Sequence, residues 1–185
     1  MTPQPAKPRV LVVDDHSANR MAFQSILEDD YTVYLAESGA EALKLVLLEE
    51  FAVILLDVRM PEMDGFETAK LLRQREKTRH TPIIFMSAHE KNLMAVNRGF
   101  ISGATDYVFS PVDPDFLKFK VRAYVAFITR SESLKTQVQE LSRIVECLRA
   151  QLRESQPDRL ELLAKIRRLE SALATLQEHV VGIPS

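Results

Sequence analysis

Up to about Pro114, five short apolar runs alternate with longer amphipathic stretches, and this alternation narrows the possible folds more than any other feature of the chain. The runs are Val10–Val13, Tyr31–Leu35, Ala52–Leu56, Ile83–Met86 and Thr105–Phe109. Each is rich in Val, Ile, Leu, Phe and Tyr and too short for a helix, so each reads as a strand. The stretches between them hold about three helical turns. Ser38 with Glu41 three residues on has the spacing of a capping box, and Leu43, Val46 and Leu47 follow on one helical face. A further helix is expected from Gly65, carrying Phe66, Ala69, Leu71 and Leu72. Strands alternating with helices imply βαβ units and a parallel sheet. Near-continuous apolar strands imply a sheet covered on both faces. Ligands of such sheets bind beyond the carboxyl ends of the strands.

Three acids stand at those ends. The first strand runs into Asp14 and Asp15, and the third ends at Asp57. Carboxylates gathered on one edge repel and call for a cation, a proton or a basic side chain. Oxygen donors without His or Cys partners suit Mg²⁺ or Mn²⁺. A carboxylate can itself act as the nucleophile and form an aspartyl phosphate. Any one of these acids alone would read as a turn or helix-cap residue. The fourth strand ends at Ser87, whose hydroxyl can donate to a phosphoryl oxygen or cap a helix. The fifth contains Tyr107, which by itself reads as half-buried packing.

Taken together, Val-Leu-Val-Val-Asp14-Asp15, Ile-Leu-Leu-Asp57-Val-Arg-Met60-Pro61-Glu-Met-Asp64-Gly65, Ile-Ile-Phe-Met-Ser87-Ala88 and Gly103-Ala-Thr-Asp-Tyr107 resemble the receiver domain of bacterial two-component response regulators. The resemblance covers roughly residues 9–128. It implies an α/β, flavodoxin-like fold: a five-stranded parallel sheet in the order 2-1-3-4-5 with five helices, the last prolonged. It implies that Asp57 accepts a phosphoryl group from a histidine kinase or phosphotransfer protein. Mg²⁺ would be held by Asp15, by Asp14 through water, by Asp57 and by the main-chain carbonyl of Arg59. Ser87 and Tyr107 become the switch pair: Ser87 is drawn to the phosphoryl group and Tyr107 turns inward. The chain would be no enzyme beyond its own phosphotransfer and dephosphorylation. An Asp-nucleophile hydrolase would need Asp-x-Asp after the first strand, which Asp14-Asp15-His16 does not supply.

One position departs from the family. A lysine normally precedes the proline after strand five, and here that residue is Ser110. Serine carries no charge to pair with the acids. Either the site still works, more slowly or with another cation, or the chain is a degenerate receiver acting as a phosphorylation-independent dimeric scaffold. The Arg59 side chain could lend positive charge, although an exposed surface arginine is the simpler reading. The family resemblance also implies a cis peptide bond at Ser110–Pro111.

After Pro114 there is no strand signal and no glycine before Gly182. With Phe127 written as d, the heptad core is Ser131, Leu134, Val138, Leu141, Val145, Leu148 and Leu152. Counted on through Ser155 at d and Arg159 at a, it stays in phase across Pro157 with Leu162, Ile166, Leu169, Leu173, Leu176 and Val180. Steps of four and three mark a coiled-coil seam, and Val at a with Leu at d favours two parallel strands. Lys165 at g can reach Glu170 at e of a partner. The expected organisation is a disordered tail at 1–8, a receiver at 9–128, a coiled coil at 129–181 and a tail at 182–185. Pro157 leaves two possibilities: a kinked, continuous coil, which the unbroken register favours, or a second helix folding back on the first. Homodimerisation through this coil and a downstream effector protein or domain are the expected partnerships.

A net charge of −2 gives no general attraction to DNA or anionic membrane. No helix-turn-helix or dense basic stretch follows the receiver, so direct DNA binding is not expected. The longest apolar run, Phe51–Leu56, is far below a membrane span, and residues 1–8 lack a signal-like apolar core. The single cysteine, Cys147, excludes an internal disulfide. A cytoplasmic location is expected.

Overall fold

The computed structural model of the chain describes residues 7–87, 103–154 and 159–181, with the side chains at 152–154, 159–160, 162 and 177–181 left out. Two units are distinguished, Met1–Ala126 and Phe127–Ser185. In the first, β1 (Arg9–Val13), α1 (Ser17–Leu27), β2 (Thr32–Ala36), α2 (Gly39–Leu48), β3 (Val53–Asp57), α3 (Gly65–Arg73), β4 (Ile83–Ser87) and β5 (Asp106–Phe109) follow in order. Helix α4 (Pro114–Glu154) begins there and continues into the second unit, which also contains α5 (Arg159–Val181). The helix expected between the fourth and fifth strands, and Ala88 of the quoted motif, lie outside the described residues, as do both tails, apart from Lys7 and Pro8.

The five strands form one parallel sheet in the order β2-β1-β3-β4-β5. Successive side chains of a strand point to opposite faces, and both faces are covered. Leu11, Val13, Ile54, Leu56, Ile83 and Phe85 share one core with residues of α2 and α3. Val10, Val12, Val53, Leu55, Ile84 and Met86 share the other with residues of α1 and α4. This double burial is why the strands read as apolar runs rather than alternating ones. The strands fall within one or two residues of the expected runs.

Helix starts follow the local chemistry. Ser38 Oγ accepts from the Glu41 backbone N–H at 3.2 Å, while Glu41 Oε2 accepts from the Glu37 N–H at 2.7 Å. The capping box is therefore present, except that Glu41 accepts from the N–H of Glu37, one residue before the cap, rather than from that of Ser38. Asp64 caps α3 by accepting from the Glu67 N–H at 2.7 Å.

Arg73, at the end of α3, ties three separate segments together. Its guanidinium donates to the carbonyls of Gly103 at 2.9 Å, Thr78 at 3.0 Å and Thr81 at 2.7 Å. Burial lowers its pKa to about 10, which leaves it charged at neutral pH. Gly103 has φ +97, and a Cβ there would sit 2.6 Å from Arg73 Cγ. Both the backbone conformation and the arginine stem require glycine.

The second unit corrects one expectation. The Arg149 guanidinium donates to Glu170 Oε1, 21 residues along the chain. In one continuous helix these residues would be about 30 Å apart. With only residues 155–158 between the helices, α5 returns antiparallel to α4 as a helical hairpin. The continuous coil favoured by the register is not the form this chain takes here, because the seam of α4 finds its cover within the same chain. Val145 and Ile166 are 4% and 5% exposed. Leu134, Val138, Leu141, Leu148, Leu169, Leu173 and Leu176 are partly buried, and most of their neighbours are exposed. The side chains of Leu152 and Leu162 lie outside the described residues.

Replacing Arg73 by Met keeps the apolar stem and removes the donors from three carbonyls. Arg73→Met is expected to destabilise the first unit by about 2–3 kcal/mol, read as a lower denaturant midpoint with unchanged slope. An unchanged midpoint would show that the clamp carries no stability.

Candidate functional site

The register of the sheet delivers the acids to one edge. Val13 pairs with Leu56 across β1 and β3, so the next residues, Asp14 and Asp57, leave the sheet side by side on strands about 4.8 Å apart. The backbone at this edge is fixed by hydrogen bonds. The Asp14 N–H donates to the Ala36 carbonyl at 3.1 Å, and the Val58 N–H donates to the Met86 carbonyl at 3.2 Å. The Gly65 N–H donates to the Val58 carbonyl at 3.0 Å, bringing the start of α3 against the loop after β3. A Cβ on Gly65 would meet the Asp57 carbonyl oxygen at 2.2 Å. Only glycine lets α3 begin so close to the acid.

Asp14 is 2% exposed yet well solvated by the protein. It accepts from the His16 N–H at 2.8 Å and from Asn19 Nδ2 at 3.2 Å and 2.9 Å. Its carbonyl takes Arg20 Nη1 at 2.7 Å. Asp15 is half-buried, and its Oδ1 lies 2.8 Å from His16 Nδ1. Ligand atoms of Asp14, Asp15 and His16 all lie within 4.8 Å of one another. Asp57 stands outside that tight group but within its field. Its pKa is raised from 3.8 to about 6, first by burial, then by the charge of Asp14, and last by that of Asp15. The Val58 and Arg59 backbone N–H groups oppose the shift. Ser110, at the position where the family places a lysine, is exposed, and its N–H donates to the Ser87 carbonyl at 2.9 Å. The Ser110–Pro111 peptide bond is cis.

Asp14, Asp15 and His16 offer ligand atoms within 4.8 Å of one another with Asp57 outside that group, and hard carboxylate oxygens of this kind suit a divalent cation such as Mg²⁺ or Mn²⁺. His16 is the residue the sequence reading passed over. A lone histidine beside two aspartates carries no spacing signal, and only the turn into α1 brings its ring back to Asp15. Asn19, one turn into α1, was likewise invisible without the fold.

Ser87 pairs with Phe109 across β4 and β5, which sets it at the same edge as the acids. Tyr107 is 8% exposed and packs on Phe85, ring centroids 5.3 Å apart, and on Phe109 at 6.1 Å. Phe85 in turn meets Phe66 of α3 edge-on at 5.2 Å. Burial raises the Tyr107 hydroxyl to about 12, so it stays protonated.

Because folding raises the pKa of Asp57, the fold favours its protonated form. That contribution is present below the unfolded-state value near 4 and is lost as pH climbs through about 6. Asp57→Asn is therefore expected to raise Tm at pH 7.5 in metal-free buffer and to leave it nearly unchanged at pH 4. Equal effects at both pH values would contradict the assigned shift.

With this geometry in view, the comparisons with known proteins are consistent in kind. The family model for the response regulator receiver domain matches residues 10–122. The transcriptional regulatory protein SrrA of Staphylococcus aureus is 36% identical over 115 residues, which are 62% of this chain and 46% of that protein. The chain thus spans less than half the length of that relative. Among solved structures, the chemotaxis protein CheY4 of Vibrio cholerae superposes with TM-score 0.62 at 33% identity, covering 64% of this chain and 99% of that one. The receiver domain of the Francisella response regulator 1452 gives TM-score 0.60 at 30% identity, covering 66% and 99%. A five-stranded parallel sheet in this order, acids at its carboxyl edge and a family match across more than half its length make this chain a member of the response regulator receiver domain family of two-component systems.

Proposed function

We propose that Asp57 accepts a phosphoryl group from the phosphohistidine of a partner histidine kinase or phosphotransfer protein. In that step a carboxylate oxygen of Asp57 forms the new P–O bond, the P–N bond to the donor imidazole breaks, and the imidazole leaves with its electron pair. Asp14, Asp15, Asp57 and the Arg59 main-chain carbonyl would hold Mg²⁺ or Mn²⁺. When bound, the ion offsets charge on the phosphoryl oxygens and on the carboxylates. What supports this reading above all is the Asp57 carboxyl. It sits half-buried at the carboxyl edge of the sheet beside Asp14, with its pKa raised to about 6 by burial and by the Asp14 charge. Such a group takes up a divalent cation and is then fully ionised for attack.

The Ser87 hydroxyl donates to the transferred group in this scheme. Phosphorylation adds about −1.5 to −2 charges, which pull on Ser87. Tyr107, packed against Phe85, then holds or releases the neighbouring surface. The signal passes through the C-terminal helices to a second copy of the chain or to a downstream effector. The cytoplasm is the compartment this reading assigns, and the chain performs no chemistry beyond its own phosphotransfer and dephosphorylation.

Ser110 favours a second reading, a degenerate receiver that works by constitutive contacts. Serine leaves the developing phosphoryl charge without a lysine, and loss of one such donor costs about 10²–10³ in rate. Incubation with acetyl phosphate and Mg²⁺, followed by intact mass, separates the two. The proposal expects slow single phosphorylation that vanishes in Asp57→Ala and speeds by about 10²-fold in Ser110→Lys. Absence of any Asp57-dependent mass increment in both the wild type and Ser110→Lys would establish the scaffold reading instead.

A further inference from the structure

One apolar seam in the C-terminal unit has two possible partners, and it cannot serve both at once. In the chain as folded, α4 and α5 bury Val145 and Ile166 and partly cover the remaining described seam leucines and Val138. An antiparallel hairpin asks only that each helix carry its own apolar face. It places no demand on the register between the two helices. Yet the heptad count passes through Pro157 without a slip, from Leu148 and Leu152 to Leu162, Ile166 and Leu169. Such phase is needed only if both segments lie on one helix facing one partner.

The charges repeat the conflict. In the hairpin, Glu170 accepts from Arg149. In a parallel two-stranded coil, Glu170 is an e position facing Lys165 at g of the partner. There Arg149, also at e, faces Ile144 and has no acid opposite. Lys165 is exposed in the hairpin, and Ile144 is 41% exposed. Each form therefore satisfies Glu170 with a different base, and the parallel form covers an isoleucine that the hairpin leaves in water.

We propose that the C-terminal helices exchange between this intrachain hairpin and a parallel two-stranded coil with a second copy of the same chain. Both forms use the same seam, and Glu170 passes from Arg149 to the partner's Lys165. The proposal rests on the reading above that the helices relay to a second copy, and it adds that closing the hairpin prevents that pairing. Pro157 sets the balance. Inside a straight helix it loses a hydrogen bond and clashes with the preceding turn, which opposes the extended form by about 10²-fold.

The test uses the full chain with spin labels at the native Cys147 and at Ala172→Cys, diluted with unlabelled chain, in parallel with oligomer mass across a concentration series. In the hairpin the two backbones are separated by about one helix spacing, roughly 10 Å. In the extended form 25 residues separate them by about 38 Å. The proposal expects the short distance in the monomer and the long one in the dimer, with both long-distance and dimer fractions rising together. Pro157→Ala should raise the association constant by up to about 10⁴-fold, because the penalty is removed from both chains of the dimer. Arg149→Glu, which weakens only the hairpin, should raise it by about two- to thirtyfold for the same reason. Dimers that keep the short distance would overturn the exchange while leaving dimeric relay standing. A chain that stays monomeric throughout, Pro157→Ala included, would overturn both. Phosphorylation of Asp57, read separately by mass, is untouched by either result.

Discussion

Burial of a carboxylate beside other carboxylates, at one edge of the sheet, is the constraint that organises this molecule. The parallel register of β1 and β3 brings Asp14 and Asp57 out beside each other. Nothing about a stable fold requires this. An apolar or singly charged edge would cost less, and Asp57 registers the cost as a pKa near 6. The surrounding structure is built to tolerate it. Asn19 and the His16 N–H solvate Asp14, backbone N–H groups of the loop after β3 support Asp57, and Gly65 lets that loop close tightly. A group of acids kept together at a cost, where strand ends converge, is the mark of a site that uses a cation and transferable charge.

Much of this could be read from the sequence because both signals are local. Strands buried on both faces produce continuous apolar runs, and the residue ending each run lies at the ligand edge. Asp14, Asp15, Asp57 and Ser87 follow from that rule alone. The caps Ser38 and Asp64 and the start of α3 at Gly65 are equally local. Long-range packing is what the sequence hid. Arg73 reads as an ordinary basic residue at a helix end, yet it joins the end of α3 to Gly103 and to the segment before β4. The burial of Tyr107 depends on Phe85 and Phe109 from the sheet around it.

The C-terminal helices mark a different limit. Heptad spacing reveals which face of a helix is apolar, but not what covers that face. Val145 and Ile166 are buried between the two C-terminal helices, and the covering partner in this structure is the chain's own second helix. Antiparallel and parallel packings draw on the same leucines, and their difference rests on a few charges and one proline.

Ser110 sharpens the account of the acid cluster. With serine in place of the family's lysine at position 110, a divalent ion or a proton gains weight in balancing Asp14, Asp15 and Asp57. The most direct measurement is a titration of the Asp57 carboxyl carbon by NMR, in metal-free buffer and again with Mg²⁺. A midpoint near pH 6 without the ion, moving clearly downward when Mg²⁺ is added, is the predicted result. A midpoint near pH 4 that Mg²⁺ does not move would show that the carboxylates neither feel one another nor share a cation, and the account would be wrong.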